Sequence, residues 1–598
     1  MKRFSVKQRS ARFRRASLAQ ALTVLSVSCA TGAAWAQATP TTQTTPATQT
    51  TQNEQDAANA QVLQSWRQQT GQSASVTAEG KIEFHGGVTV DAYNNDVSSP
   101  SGNPALSPLR ENNYGKLIFQ GDIRTQSAEQ DVTYVQGVLT ASNDRSLIQR
   151  YANQINSFQT GRAGLGYQIA FGDVVANYST LSSSLGLRGL LAARQFGALT
   201  VTGVAGTVAE SWEALLNRSA LDNLAPRTRY LRDVMGVKAE YAFDQQLSAF
   251  ATLQSYSDRT SSAALPLGSP ALSGAVLSSG LKYSQDALQI SAELAASNTE
   301  DKNTLIDSRG KAFVIDGTYR FASPGINLRF GYHDLGPRFV SLAQSVAPGI
   351  QEWYAGADWQ IFPQLNWGLD LRDSTTRIAA NVFSPASETE LQTLNNRLSY
   401  SFQDITGLVL SLSDTRNRGK DALGNPNRND TSQLSLNYGS QLWTAGASLG
   451  QGHSRSPANP LGDSNNSQWQ LNLGRNWSDA SLEKQASWTV GVQSFLGQQV
   501  QQLIAAGTAS KNTSYGLNLT ASSTPMGQWL LGLQRQQTEQ PTPGAPRLAT
   551  TTLNLDWTKA LTQQWQLKGY AKINRRNHGD VALQLDERIL GVQGSYKW

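Results

Sequence analysis

From about Lys81 onward, apolar and polar residues alternate in short segments bounded by Asn, Asp, Gly, Ser and Pro clusters. In SQWQLNLGRNW, Trp469, Leu471 and Leu473 take one parity while Gln468, Gln470 and Asn472 take the other. TLNLDWT repeats the pattern with Leu553, Leu555 and Trp557, and QLSLNY repeats it with Leu434, Leu436 and Tyr438. In QWQLKGYAKIN, Trp565, Leu567, Ala571 and Ile573 oppose Gln566, Lys568, Tyr570 and Lys572. A period of two predicts β-strands with one apolar face and one face of amides, hydroxyls and charges.

A soluble sandwich would show the same alternation, so segment length must separate the two. The segments run to about 9–14 residues, long for a soluble strand and suited to a tilted strand that crosses a bilayer. Aromatic residues recur near segment ends, as at Trp353, Trp359, Trp367, Trp443, Trp477, Trp488, Trp529 and Trp557, the placement of interfacial girdles. Of 14 tryptophans, 11 lie between Trp353 and Trp598, so this signal is strong in the second half and thin in the first. The predicted fold is all-β: one large antiparallel transmembrane β-barrel over 81–598, with about 24–26 strands because single-chain barrels close on even numbers.

Three stretches break the pattern. Glu210 to Asp233 (ESWEALLNRSALDNLAPRTRYLRD) places Trp212, Leu215, Leu216 and Leu221 at helical spacing before Pro226, predicting an amphipathic helix in a folded loop or inside the lumen. Asn143 to Asn156 (NDRSLIQRYANQIN) is a shorter candidate of the same kind. GYHDLGPRFVSL, Gly331 to Leu342, leaves a strand and turns at Pro337, predicting an extracellular or lumenal excursion.

The first residues change the charge picture. Lys2, Arg3, Lys7, Arg9, Arg12, Arg14 and Arg15 precede an apolar stretch and the small-x-small triplet Ala34-Trp35-Ala36, which predicts a secretory signal peptide over 1–36. Without those seven basic residues the 50 Lys+Arg fall to 43 against 44 Asp+Glu, a net of −1. The sequence pI of 9.2 therefore gives no basis for nucleic-acid binding. The single cysteine, Cys29, falls in the leader, which leaves no disulfide, thiolate metal site or cysteine nucleophile beyond it. Residues 37–80 open on a Thr/Gln/Pro run, read as a disordered periplasmic linker, with room for a short helix around Val62 to Trp66.

The chain ends on ERILGVQGSYKW, where Leu590, Val592, Tyr596 and Trp598 share the apolar parity and Gln593, Ser595 and Lys597 oppose them. This strand resembles the C-terminal assembly signal of Gram-negative outer-membrane β-barrels, which closes on aromatic-x-aromatic, although Gln593 stands where that pattern usually has Gly. The resemblance implies the cell outer membrane, the lipid bilayer and the barrel-assembly machinery as partners, and a last strand that pairs with the first. FGDVVANYSTLSSSLGLRGL, Phe171 to Leu190, resembles a motif near the start of fimbrial usher barrels, in which Gly-Asp, a Ser-containing hairpin and Arg-Gly follow in order. That similarity covers about 20 residues. Read from the residues alone, it is a hairpin whose glycines let strands bend and pack closely, with Asp173 and Arg188 able to pair across it inside the lumen.

Enzyme signatures are missing. His85, His333, His453 and His578 have no metal-binding spacing, and no P-loop occurs. The chain is expected to be no enzyme and to hold no cofactor or metal. Strand parity turns Lys116, Asp122, Arg124, Lys568 and Lys572 toward the lumen together with Asp173 and Arg188, since strand charges are tolerated where they face water. The expected function is an outer-membrane conduit that exports a macromolecule, polysaccharide or protein, with periplasmic partners. The alternatives are a small-solute diffusion channel and a structural barrel that sheathes a partner protein.

Overall fold

The computed structural model describes residues 82–598, apart from 101–110, 128–130, 145–150, 210, 217–228, 264–268, 305, 343–347, 381–384, 479–487 and 541–546. The expected signal peptide, linker and short helix near Val62 lie outside the described residues. The rest forms a single antiparallel sheet of 26 strands that closes on itself. The first strands are β1 (Ile82–Ser98), β2 (Asn112–Gln126), β3 (Val132–Ser142), β4 (Asn153–Gly164), β5 (Tyr167–Ser179), β6 (Ser183–Phe196) and β7 (Leu199–Val208). They continue as β8 (Leu231–Ala242), β9 (Leu247–Arg259), β10 (Leu272–Gln285), β11 (Leu288–Asp301), β12 (Ile306–Phe321) and β13 (Ile326–Leu335). The second half comprises β14 (Ile350–Phe362), β15 (Leu365–Ile378), β16 (Ser387–Ser401), β17 (Leu408–Lys420), β18 (Pro426–Gly439), β19 (Trp443–Arg455) and β20 (Ser464–Ser478). It ends with β21 (Trp488–Leu503), β22 (Thr508–Ser523), β23 (Gly527–Glu539), β24 (Leu548–Ala560), β25 (Trp565–His578) and β26 (Leu585–Lys597).

Closure satisfies the one requirement a sheet in lipid cannot escape, that no edge N–H or C=O be left bare. The seam pairs β1 with β26 from Gly87↔Lys597 to Ser98↔Asp586. Trp598 extends it, its N–H donating to the Gly86 carbonyl at 3.2 Å and its ring stacking on Phe84 at 5.4 Å between centroids. A Cβ on Gly86 would lie 2.6 Å from that ring, so only glycine leaves room for the indole. Leu590 and Val592, 67% and 55% exposed, point outward beside it.

The outer face is apolar across the middle of the wall, with Leu117, Phe119, Leu253, Leu294, Leu434, Leu449, Leu471 and Leu533 all exposed. In water such a surface would be an aggregation site; against lipid each Leu or Phe gains about 1.5–3 kcal/mol relative to water. Connections alternate between two rims. One carries mostly tight turns, such as 165–166, 197–198, 286–287 and 363–364, and the other carries long connections such as 99–111, 209–230 and 336–349. In outer-membrane barrels the short turns are periplasmic.

The girdle gathers on one rim, with Trp353 the exception toward the loop end of β14. Trp359, Trp367, Trp443, Trp477, Trp488, Trp529, Trp557 and Trp565 all sit at strand ends on the short-turn rim, and the pairs Trp359–Trp367 and Trp529–Trp557 are cross-strand neighbours. In the first half the same rim is ringed by Phe196, Tyr241, Phe243, Tyr283, Tyr319 and Phe321, so the scarcity of tryptophan there is filled by Tyr and Phe. Arg475 lies between the rings of Trp443 and Trp477, 4.6 and 4.8 Å from their centroids, a cation held at the interface. An aliphatic outer face edged by aromatic rings at the turn rim, on a closed even-numbered sheet, is that of a barrel spanning the outer membrane.

The two predicted helices fare differently from expectation among the described residues. Within Glu210 to Asp233 the helix α1 covers only Trp212–Leu215, and Leu231–Asp233 already belong to β8; residues 217–228, with Leu221, lie outside the described residues. Of Asn143 to Asn156, residues 153–156 open β4 and 145–150 are outside the described residues. Strand pairing with β3, from Asn153↔Ala141, outweighs the local helical spacing.

Candidate functional site in the lumen

Among the described residues, the wall is interrupted at the hairpin of β5 and β6. β4 pairs with β5 only from Gly164↔Tyr167 to Gln159↔Gly172, and β6 pairs with β7 only from Phe196↔Leu199 to Arg188↔Thr207. Above those points the two strands stay paired with each other, from Asp173↔Arg188 up to Ser179↔Ser183, but leave the wall. The departure needs glycine. Gly172 has φ +120°, and a Cβ there would meet the Phe158 carbonyl oxygen at 2.2 Å; a Cβ on Gly189 would sit 2.1 Å from the Ala205 oxygen.

A hairpin that leaves a wall exposes edge groups on β4, and two carboxylates satisfy them. Asp173 Oδ2 accepts from the Phe158 N–H at 2.7 Å and from Trp212 Nε1–H at 2.9 Å. Glu213 Oε1 accepts from the Ile155 N–H at 2.7 Å. α1 thus patches the gap, capped at its start by Ser211 Oγ, which accepts from the Ala214 N–H at 3.1 Å. The Trp212 ring packs edge-on to Phe158 and under the Arg188 guanidinium. Arg188 reaches Asp173 at 3.4 Å and donates to the Ala209 carbonyl.

The hairpin tip lies on the inner face of the neighbouring wall. Glu293 of β11 accepts from Ser179 Oγ at 2.5 Å and from the Leu181 N–H at 3.3 Å. Ser341, just past β13, donates to the Leu181 carbonyl at 2.6 Å, so the Gly331 to Leu342 excursion is lumenal. Val174, Tyr178, Leu181 and Leu187 from the hairpin, Val234, Tyr256, Val276 and Val314 from the wall, and Phe339 and Leu342 form one buried cluster. The wall from β7 to β13 therefore carries a second apolar layer on its inner side. One cost is visible: Gln254 of β9 is fully buried, and neither its Oε1 nor its Nε2 has a partner.

The other sectors are wet. From β12 to β16 the lumen is lined by paired charges. Arg329 lies 3.1 Å from Asp358 and 2.8 Å from Asp370, and Arg397 lies 3.3 and 3.1 Å from the same two carboxylates. Beside the seam, Lys568 pairs with Asp556 at 2.9 Å, Arg124 with Asp122 at 2.7 Å, and Asp91 accepts from the Tyr570 hydroxyl at 2.9 Å. Lys116 stands opposite Asp91 in the register, and Lys572 opposite Ile589 and Asn554. Lys116, Asp122, Arg124, Lys568 and Lys572 thus fall on one arc of the inner face, while Asp173 and Arg188 belong to the hairpin across the wall. Glu213 and Glu293 were not singled out in the sequence. Glu213 sits in a helix-like segment, and the parity of Glu293 says inward without saying against what.

From β17 to β23 the inner face changes again. Among the described residues, no inner position of these strands carries Asp, Glu, Lys, Arg or His. Gln, Asn, Ser, Thr and Gly fill it, with Val409, Phe495, Leu503 and Leu530 as the apolar exceptions.

No protein-family model and no curated protein matches the chain. Solved structures resemble it at low identity. OccK3 (OpdO) of Pseudomonas aeruginosa shares 11% identity over 63% of this chain and 96% of that one, with a TM-score of 0.31. The P pilus usher (PapC) translocation pore shares 10% over 87% and 99%, TM-score 0.30. The siderophore receptor PirA of Pseudomonas aeruginosa shares 11% over 87% and 81%, TM-score 0.37. Likeness at this level carries no argument about function; the wall and its contents must supply it.

Proposed function

We propose that the barrel is a non-enzymatic conduit that carries a macromolecule across the outer membrane. One observation supports this above the others: the hairpin layer covers a single sector, while the inner face of β17–β23 is polar and open to the lumen. Strands about 4.8 Å apart, tilted by about 40°, give a closed wall of this strand number a backbone diameter of roughly 50 Å. A hairpin layer about 10 Å thick narrows such a lumen without filling it. Delivery of the cargo falls to periplasmic partners at the short-turn rim.

Single-channel conductance in a planar bilayer tests the reading, with wild-type protein beside the hairpin-release variant Glu293→Ala. Large steady steps, equal or larger in the variant, are expected. Silence from both proteins, each shown to be folded and inserted, would overturn it.

A further inference from the structure

The conduit reading names no cargo, and the chemistry of the β17–β23 sector does. Cross-strand registers set its side chains in rows that run across the strands. One row runs Gln433, Gly450, Gln468, Gln499, Asn512, Thr538, each residue the register partner of the next. The row below it runs Ser435, Ser448, Gln470, Gly497, Ser514, Gln536 in the same way. Gln433, Gln468 and Gln499 are exposed to the lumen, and the groove between them encloses about 250 Å³.

We infer that this sector is the track for an uncharged polysaccharide chain, an assignment that rests on the conduit reading above. Each amide brings two donors and an acceptor, and each hydroxyl brings one donor and two lone pairs. Sugar hydroxyls offer the same mixture, so a polymer moving past exchanges one hydrogen bond for another of equal worth. Net gains of that kind are small per bond, which suits a path that must bind well enough to admit a chain and weakly enough to release it.

Charge decides against other cargoes. An anionic polymer is drawn by unpaired cations, and among the described residues no cation stands on the inner face of this sector. A polypeptide brings charges of both signs and apolar side chains, for which the sector offers no counter-charge and a single aromatic, Phe495. In the charged arcs on either side, pairs such as Arg329–Asp370 and Lys568–Asp556 hold cations against carboxylates.

The test is calorimetric binding of a short dextran oligomer, and of the same oligomer sulfated, to the full chain folded in detergent micelles. The neutral oligomer should bind at least about tenfold more tightly than the sulfated one. The triple variant Gln433→Leu, Gln468→Leu, Gln499→Leu should weaken neutral binding by about five- to tenfold, a few modest hydrogen bonds' worth, with its heat-dependent gel migration unchanged. Equal binding of both oligomers, no effect of the triple variant, or binding of an unfolded alkylated polypeptide in place of the sugar would overturn the assignment. The two readings fail separately. Binding without conductance removes the conduit and keeps the sugar track, and conductance without binding does the reverse.

Discussion

The wall from β7 to β13 and the wall from β17 to β23 share one backbone plan and one outer face, yet their inner faces have opposite fates. In the first, Val234, Tyr256, Val276 and Val314 face inward and are buried under a hairpin that the chain folds back onto them. In the second, Gln433, Gln468 and Gln499 occupy equivalent positions and stay wet. The comparison shows that alternation alone fixes which side of a strand meets lipid, while the inner residues decide whether the lumen beside them is filled or free.

The largest way to break the contrast is to stop the hairpin from leaving the wall. Gly189→Val drives a Cβ into the Ala205 carbonyl and the Gly206 Cα, at 2.1 and 2.4 Å; refolding yield, read as heat-resistant migration on a gel, should fall at least about tenfold because backbone must move. Glu293→Ala removes the acceptor of Ser179 and of the Leu181 N–H. It should cost about 2–3 kcal/mol and make the 178–185 tip cleavable by a protease added from the loop side, whereas an uncut tip would show that the apolar layer suffices. Gln254→Leu should act in the opposite direction, stabilising the packed sector by about 1–2 kcal/mol in urea unfolding, because two orphaned polar atoms leave a dry site. Gln468→Leu, the same exchange on the wet wall, should shift stability by less than about 0.5 kcal/mol. A large effect there would mean that the amide sector is covered by something the chain itself supplies.

Much of this was legible from the residues. The parity of Leu434, Leu471 and Leu553 against their amide neighbours gives strands, lipid face and barrel, and Leu590 to Trp598 gives the closing strand, because each depends on a period of two that a single strand displays. The Gly-Asp and Arg-Gly elements of Phe171 to Leu190 mark the hairpin, and Asp173 does meet Arg188 across it. What could not be read is where the hairpin goes. Its partners, Glu293 and Ser341, lie far along the chain and look like ordinary strand and turn residues; only the closed fold brings them to it. Trp212 gave a helical signal, but the helix is one turn long because its task is to cover the bared edge of β4. The charge-free inner face of β17–β23 was present in the sequence throughout, and it becomes visible only when seven consecutive strands are lined up in register.

The packed sector draws its partners from a continuous piece of chain, since the hairpin, α1, Glu293 and Ser341 all precede Leu342. The seam, by contrast, joins positions as far apart as Gly87 and Lys597. An inserting chain can thus finish its internal layer while the sheet is still an open arc, before the last strand arrives to zip it shut. The hairpin is then built into place rather than threaded through a completed ring, and its seat is ready before there is a pore to narrow.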